Sequence, residues 1–281
     1  MSALTLGMIA AFAWALHDIC VRYLSQKTPL MASLLTVLVV ALGFEIGLMV
    51  VTKSTFTLPS EEFWISVVSG FFFIVASLGL YAAFHRGPVR LVAPIIAAYP
   101  VLSVGWAVFR GADVSWLQWV AVLLIIAGVS VVAALADHGE EDVAPKGPTI
   151  LFSLIAAIGF AGTFALGQYA AETAGHMPVT LVTRITAITL LIAGMAIRRL
   201  PFWAGKKAMP MLVVMGIADG IALACVLSAG GLPDAQYAAV AASCFGLLTI
   251  VLAWAILREQ MTPLQWFGCA LAFGGIGYLA L

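Results

Sequence analysis

The sequence predicts an all-α integral membrane protein of ten transmembrane helices, arranged as two inverted five-helix repeats. Three observations predict it: an extreme apolar composition, ten apolar runs of spanning length, and a second half that lies over the first. Of 281 residues, 63% are hydrophobic and 9% charged, against a charged share of about a quarter in soluble domains. Hydrocarbon roughly 30 Å thick is crossed by about 20 apolar residues as helix. Lipid offers no partner to an unpaired backbone group, so only helices or closed barrels cross it. Runs this long and uninterrupted select helices over barrel strands of about ten alternating residues.

Charge clusters, prolines and glycines cut the chain into spans 4–24, 30–52, 62–84, 90–109, 115–136, 149–172, 178–198, 209–230, 235–257 and 263–281. No Lys or Arg precedes Arg22, so the first run is read as a mature span and not as a signal peptide with a basic start. The longest polar interruption, "DHGEEDVAPKGP" from Asp137 to Pro148, is a solvated linker between the first repeat, 1–136, and the second, 149–281. The cysteines Cys20, Cys225, Cys244 and Cys269 fall inside apolar spans without C-x-x-C or Cys/His spacing, which points to no metal, no cofactor and no disulfide framework. A formal net charge of zero provides no basic footprint for nucleic acid.

The halves resemble each other in detail. Trp106-Ala-Val-Phe-Arg110 matches Trp254-Ala-Ile-Leu-Arg258, and Leu117-Gln118-Trp119 matches Leu264-Gln265-Trp266. "IAAFAWA" from Ile9 lies over "IAAIGFA" from Ile155, pairing Trp14 with Phe160, His17 with Thr163 and Asp18 with Phe164. An odd number of helices per half turns the two copies upside down relative to one another, with a site expected at the midplane between them.

On these features the chain resembles the drug/metabolite transporter superfamily, and within it the ten-helix EamA-type carriers. Gly87-Pro88 through Pro94 and the run "LREQMTPLQWFGCALAFGGIGYLAL" from Leu257 carry the likeness. In that run Glu259, Gln265 and Gly268 follow the family's E-x-x-x-x-x-Q-x-x-G pattern. "VTLVTRITAI" is similar to the family's helix with an inward arginine, here Arg184. The first half departs from the pattern, with Gly111 at the counterpart of Glu259 and Leu35 near that of the arginine. Among members, the chain is similar to the bacterial amino-acid exporters, YddG-like aromatic ones included.

Ten of the thirteen basic residues fall in loops that alternate helices place on one face. Such residues are retained in the cytoplasm, which puts both termini outside, whereas many relatives are described with cytoplasmic termini.

Charged residues at membrane depth cost about 2.5–3.5 kcal/mol each on insertion scales, so they face the bundle interior or a wet cavity. Asp18, Glu45, Arg184 and Asp219 qualify. Trp14, His17 and Asp18 share one face of helix 1, and either line a cavity or make a structural hydrogen bond, with a proton relay also open. Arg184 either pairs with an acid or meets a ligand carboxylate through its planar fork. Helix 3 repeats Ser77, Tyr81 and His85, and helix 4 repeats Tyr99, Ser103, Trp106 and Arg110. Pro94 and Pro100 free carbonyls in helix 4 and let it bend. Trp64, Trp116, Trp119, Trp203 and Trp266 near span ends read as interfacial belts.

The candidate substrate-binding set is therefore Trp14, His17, Asp18, Ser77, Tyr81, Tyr99, Ser103, Phe160, Thr163, Arg184 and Asp219, with no catalytic and no metal-binding residue. Together with the resemblance it implies a non-ATP secondary transporter in the inner membrane, multi-pass. It would export small organic solutes, aromatic or hydrophobic amino acids or related amphipathic metabolites, by alternating access at a midplane cavity. Its partners would be the small-molecule substrate and the lipid bilayer, with no nucleic acid and an open oligomeric state. The alternatives are an intramembrane enzyme and a channel. The sequence holds no H-E-x-x-H and no G-x-S-x-G and no repeated filter sequence.

Overall fold

The computed structural model of the protein describes residues 1–102, 105, 115–135, 145–229, 232 and 236–279. Among these, every regular element is a helix: α1 (Ala3–Ser25), α2 (Leu30–Val51), α3 (Ser60–Arg86), α4 (Val89–Ala97), α5 (Trp116–Ala134), α6 (Lys146–Ala174), α7 (His176–Ile197), α8 (Met209–Ser228), α9 (Gln236–Ala242), α10 (Phe245–Leu252) and α11 (Pro263–Leu279). Seven segments are long and apolar enough to cross a membrane: α1, α2, α3, α6, α7, α8 and the run Ala238–Leu257. The protein is thus a multi-pass membrane protein. Residues 137–144 of the expected linker, and Ser103, Trp106 and Arg110 of the expected helix 4 stripe, lie outside the described residues.

Local chemistry sets the helix ends. The Ser2 hydroxyl accepts from the Thr5 N–H at the start of α1. Glu61 and Glu62 occupy the first turn of α3, and His85 and Arg86 its last, matching the helix dipole at both ends. α6 begins at Lys146, three residues before the expected start, because Pro148 in its first turn lacks a donor that has no acceptor there. α2 and α7 end identically. Lys53 and Arg199 both take left-handed φ, 52° and 53°, and the following Ser54 and Leu200 donate back to Met49 and Met195. Non-glycine residues enter that region at a cost of about 1 kcal/mol. Its recurrence at matched positions identifies a repeat more firmly than similarity among leucines and alanines does.

Two expected continuous spans are broken. The fourth, expected over 90–109, holds α4 only to Ala97 before tightening into three-residue turns at Ala98, Tyr99 and Val101. Pro100 supplies no N–H there, and its ring conflicts with a carbonyl one turn back. The ninth, expected over 235–257, divides at Ser243–Cys244 into α9 and α10. The Ser243 hydroxyl donates to the Val240 carbonyl at 2.6 Å, and Cys244 N donates to Ala241 O in a tightened turn. The breaks occupy corresponding places in the two halves and face each other, since the Tyr99 hydroxyl donates to the Ala239 carbonyl.

The halves interleave. α3 packs along α6 and α7, and in exchange α8 packs along α1 and α2. The α5–α11, α2–α7 and α4–α10 contacts each map onto themselves. Gly70 closes on the Thr183 carbonyl, and Gly216, at the same offset as Trp14 to Phe160, closes on the Val37 carbonyl. This register makes Leu38 the counterpart of Arg184, three residues beyond the expected Leu35.

Not every small-residue pattern is a crossing. Gly216 and Gly220 pack against α2, whereas Gly43 and Gly47 beside Glu45 face open space. In "LAFGGIGYLAL" only Gly275 is tight, against the Ala121 carbonyl of α5, and Gly274 and Gly277 touch nothing. At the α3–α6 crossing a Cβ on Gly159 would lie 2.7 Å from the Ala76 nitrogen, so the backbones meet with no room for a side chain. Gly159→Leu is expected to abolish monodisperse protein in detergent size-exclusion chromatography, while Gly47→Ala leaves yield and thermal midpoint unchanged.

Candidate functional site

A buried ionic junction lies inside the bundle. Arg184 of α7 is 0% exposed. Its Nη2 is 2.7 Å from Glu45 Oε1 and its Nε 3.3 Å from the same oxygen, so one fork grips the α2 carboxylate. Nη1 donates to Asp219 Oδ2 of α8, and the guanidinium rests on the Phe73 ring of α3, 4.9 Å from its centroid. The other oxygen of Asp219 accepts from the Trp14 indole N–H at 3.2 Å. Four helices are thereby tied to a fifth at one depth.

A second network occupies the same level. His17 Nδ1 lies 2.9 Å from Asp18 Oδ1 and Nε2 lies 3.2 Å from the Tyr81 hydroxyl. Trp14 stacks on Phe164, with ring centroids 5.4 Å apart. Phe164 stacks in turn on Phe160 at 5.7 Å and meets the edge of Tyr99 at 5.3 Å.

These residues line a cavity with about 450 Å³ of atom-free space, the open solvent at its mouth included. Of the expected residues, Trp14, His17, Asp18, Ser77, Tyr81, Tyr99, Phe160 and Asp219 line it. Ser103 lies outside the described residues. Thr163 does not line it: this buried hydroxyl donates to the Gly159 carbonyl of its own helix at 2.8 Å, and its carbonyl accepts from Ser69, so it serves the α3–α6 seam. Arg184 lies behind the wall, engaged by its two acids.

Leu34, Val37, Leu38, Leu80, Phe73, Phe164 and Phe245 complete the lining. An apolar residue in an apolar helix carries no individual signal of a cavity. Two were nonetheless within reach of sequence reasoning, Phe164 as the counterpart of Asp18 and Phe73, which the register pairs with Asp219. The wall is therefore chemically lopsided: Asp219 faces Phe73 across the pseudo-two-fold axis, and Asp18 faces Phe164.

At the basic end, Glu259 spans the halves. The left-handed turn at Arg258, φ 58°, ends the preceding helix and directs the Glu259 carboxylate to the first N–H groups of α4. Val89 N donates to it at 3.0 Å and Arg90 N at 3.2 Å. Arg90 also donates to the Gln260 carbonyl at 2.8 Å, and Arg22 Nε lies 3.9 Å from the carboxylate.

A helical membrane protein with an aromatic, ionisable cavity between inverted repeats and beside two broken helices belongs to the class of solute transporters. The EamA-like transporter family matches residues 1–134 and again 147–281, and this chain belongs to that family, whose members move small solutes. A solved protein crystal structure superposes with a TM-score of 0.76 at 17% identity, covering 99% of this chain and 96% of that one. At that identity the likeness is one of fold. No curated protein sequence matches the chain.

Removing one partner of a buried ion cluster leaves the others uncompensated, at about 3–5 kcal/mol. Arg184→Met is expected to lower the thermal midpoint sharply, read by fluorescence-detected unfolding in detergent. Adding Glu45→Leu and Asp219→Asn should restore most of the loss.

Proposed function

We propose that the protein is a gradient-driven secondary transporter of the inner membrane that exports a small organic solute by alternating access. The solute has an apolar or aromatic body, as in hydrophobic amino acids and related amphipathic metabolites. One observation carries the reading: stacked aromatic rings and an ionisable wall meet at the seam of the two repeats, between helices broken at matching positions. Stacking and dispersion hold the apolar body. The repeats, 1–136 and 149–281 joined by 137–148, rock about the cavity, and the breaks at Pro100 and Ser243 absorb the bending.

The basic end, which the positive-inside rule directs to the cytoplasm, is latched by Glu259 on the α4 N-terminus. Opening there requires that carboxylate to leave two backbone donors, and the counterpart position, Gly111, carries no carboxylate.

Saturable counterflow in proteoliposomes across a panel of amino acids, nucleosides and amines tests the reading, and no counterflow with any of them rejects it. In a cysteine-free background bearing Ser77→Cys, Glu259→Gln is expected to speed labelling by an impermeant maleimide from the basic side several-fold.

A further inference from the structure

The cavity wall is unbalanced in hydrogen bonding. Among the described lining residues, the polar hydrogens are already engaged. The Trp14 indole donates to Asp219, the Ser77 hydroxyl to the Phe73 carbonyl at 2.8 Å, and the Tyr99 hydroxyl to the Ala239 carbonyl. With Asp18 ionised its oxygens only accept, so His17 Nδ1 donates to Oδ1, and in the neutral imidazole Nε2 then accepts from the Tyr81 hydroxyl. Both Asp219 oxygens are occupied, by Trp14 and Arg184. One buried side-chain atom of the described lining has no hydrogen-bond partner: Oδ2 of Asp18, on a residue 1% exposed that lines the cavity.

Charge points the same way. Among the described residues the deep carboxyls are Asp18, Glu45 and Asp219; the Arg184 guanidinium is held by the latter two, and Asp18 has the His17 imidazole beside it. A ligand carboxylate would enter beside Asp18 and Asp219 with no free donor among the described lining residues to receive it, at the cost of an unpaired buried charge. An ammonium would find an unpaired carboxylate oxygen on a cavity wall that also carries Trp14, Phe160 and Phe164, rings that attract cations.

We propose that the cavity is a site for a small primary amine, an organic monocation with an aromatic or apolar body and no carboxylate, whose ammonium docks on Asp18 Oδ2. The proposal rests on the transporter reading and narrows its substrate class from amino acids to amines. An orphan buried acceptor is costly in an isolated fold and is satisfied when such a ligand arrives. His17 holds one oxygen of the Asp18 carboxylate and leaves the other without a partner.

Three probes sharing one phenyl body separate the charge classes: phenethylamine as cation, phenylalanine as zwitterion and 3-phenylpropionate as anion. Equilibrium binding of radiolabelled phenethylamine to the purified protein in nanodiscs at neutral pH is expected to saturate. Phenylalanine should compete at least about tenfold more weakly than unlabelled phenethylamine, and 3-phenylpropionate not at all. Asp18→Asn should weaken phenethylamine binding roughly ten- to a hundredfold, the loss expected for one charge-assisted hydrogen bond, with cooperative unfolding retained. If that variant does not fold, the ranking of the three probes on the unaltered protein decides. Phenylalanine bound as tightly as phenethylamine or more tightly, together with saturable amino-acid counterflow, overturns the amine assignment and leaves the transporter reading standing. A folded Asp18→Asn protein with undiminished phenethylamine affinity overturns it too. Absence of saturable phenethylamine binding rejects the amine assignment, and absence of counterflow with every solute of the wider panel rejects both readings.

Discussion

The guanidinium of Arg184, held between Glu45 and Asp219, is the constraint on which the interior depends. No one of the three would be tolerated alone at membrane depth. Together they fix α2, α7 and α8 at one level, and the Trp14 indole extends the tie to α1. Because Asp219 spends one oxygen on the arginine and the other on Trp14, the tryptophan ring is held where Phe164 and Phe160 can stack on it. The aromatic wall is thus oriented by an ion cluster that lies largely behind it.

Packing and chemistry have parted company between the repeats. The seams are shared: Gly70 and Gly216 close on equivalent carbonyls, and α2 and α7 end in the same left-handed turn. The side chains facing the cavity differ. Arg184 answers to Leu38, Asp219 to Phe73 and Phe164 to Asp18, so one repeat brings the Asp18–His17–Tyr81 network and the other the arginine with one of its acids.

Most of the helix plan was legible in the sequence because a spanning helix must be long and apolar throughout, a requirement written into every residue of the run. The repeat was legible through Trp14 with Phe160 and Trp106 with Trp254. The breaks at Ala98 and Ser243 were less so. Pro100 announced one, but in the ninth span the hydroxyl of Ser243 and a hydrogen bond from Tyr99 make the break, and those are tertiary events. Of the cavity, the residues out of place in an apolar helix could be found, namely His17, Asp18, Arg184 and Asp219. Leu34, Leu80 and Phe245 could not, since they differ in no way from neighbours that face lipid. Thr163 shows the limit of arguing from a counterpart: pairing with His17 located its helix correctly, but its hydroxyl turned to its own backbone.

The interleaving of the repeats has a stoichiometric consequence. Two identical five-helix chains assembled head to tail would present every wall residue twice, so an arginine at the Arg184 position would face a second arginine. Joining the copies in one polypeptide removes that duplication and allows a single carboxylate to stand against a phenyl ring. The described wall of the cavity therefore presents a different surface on each side of the axis.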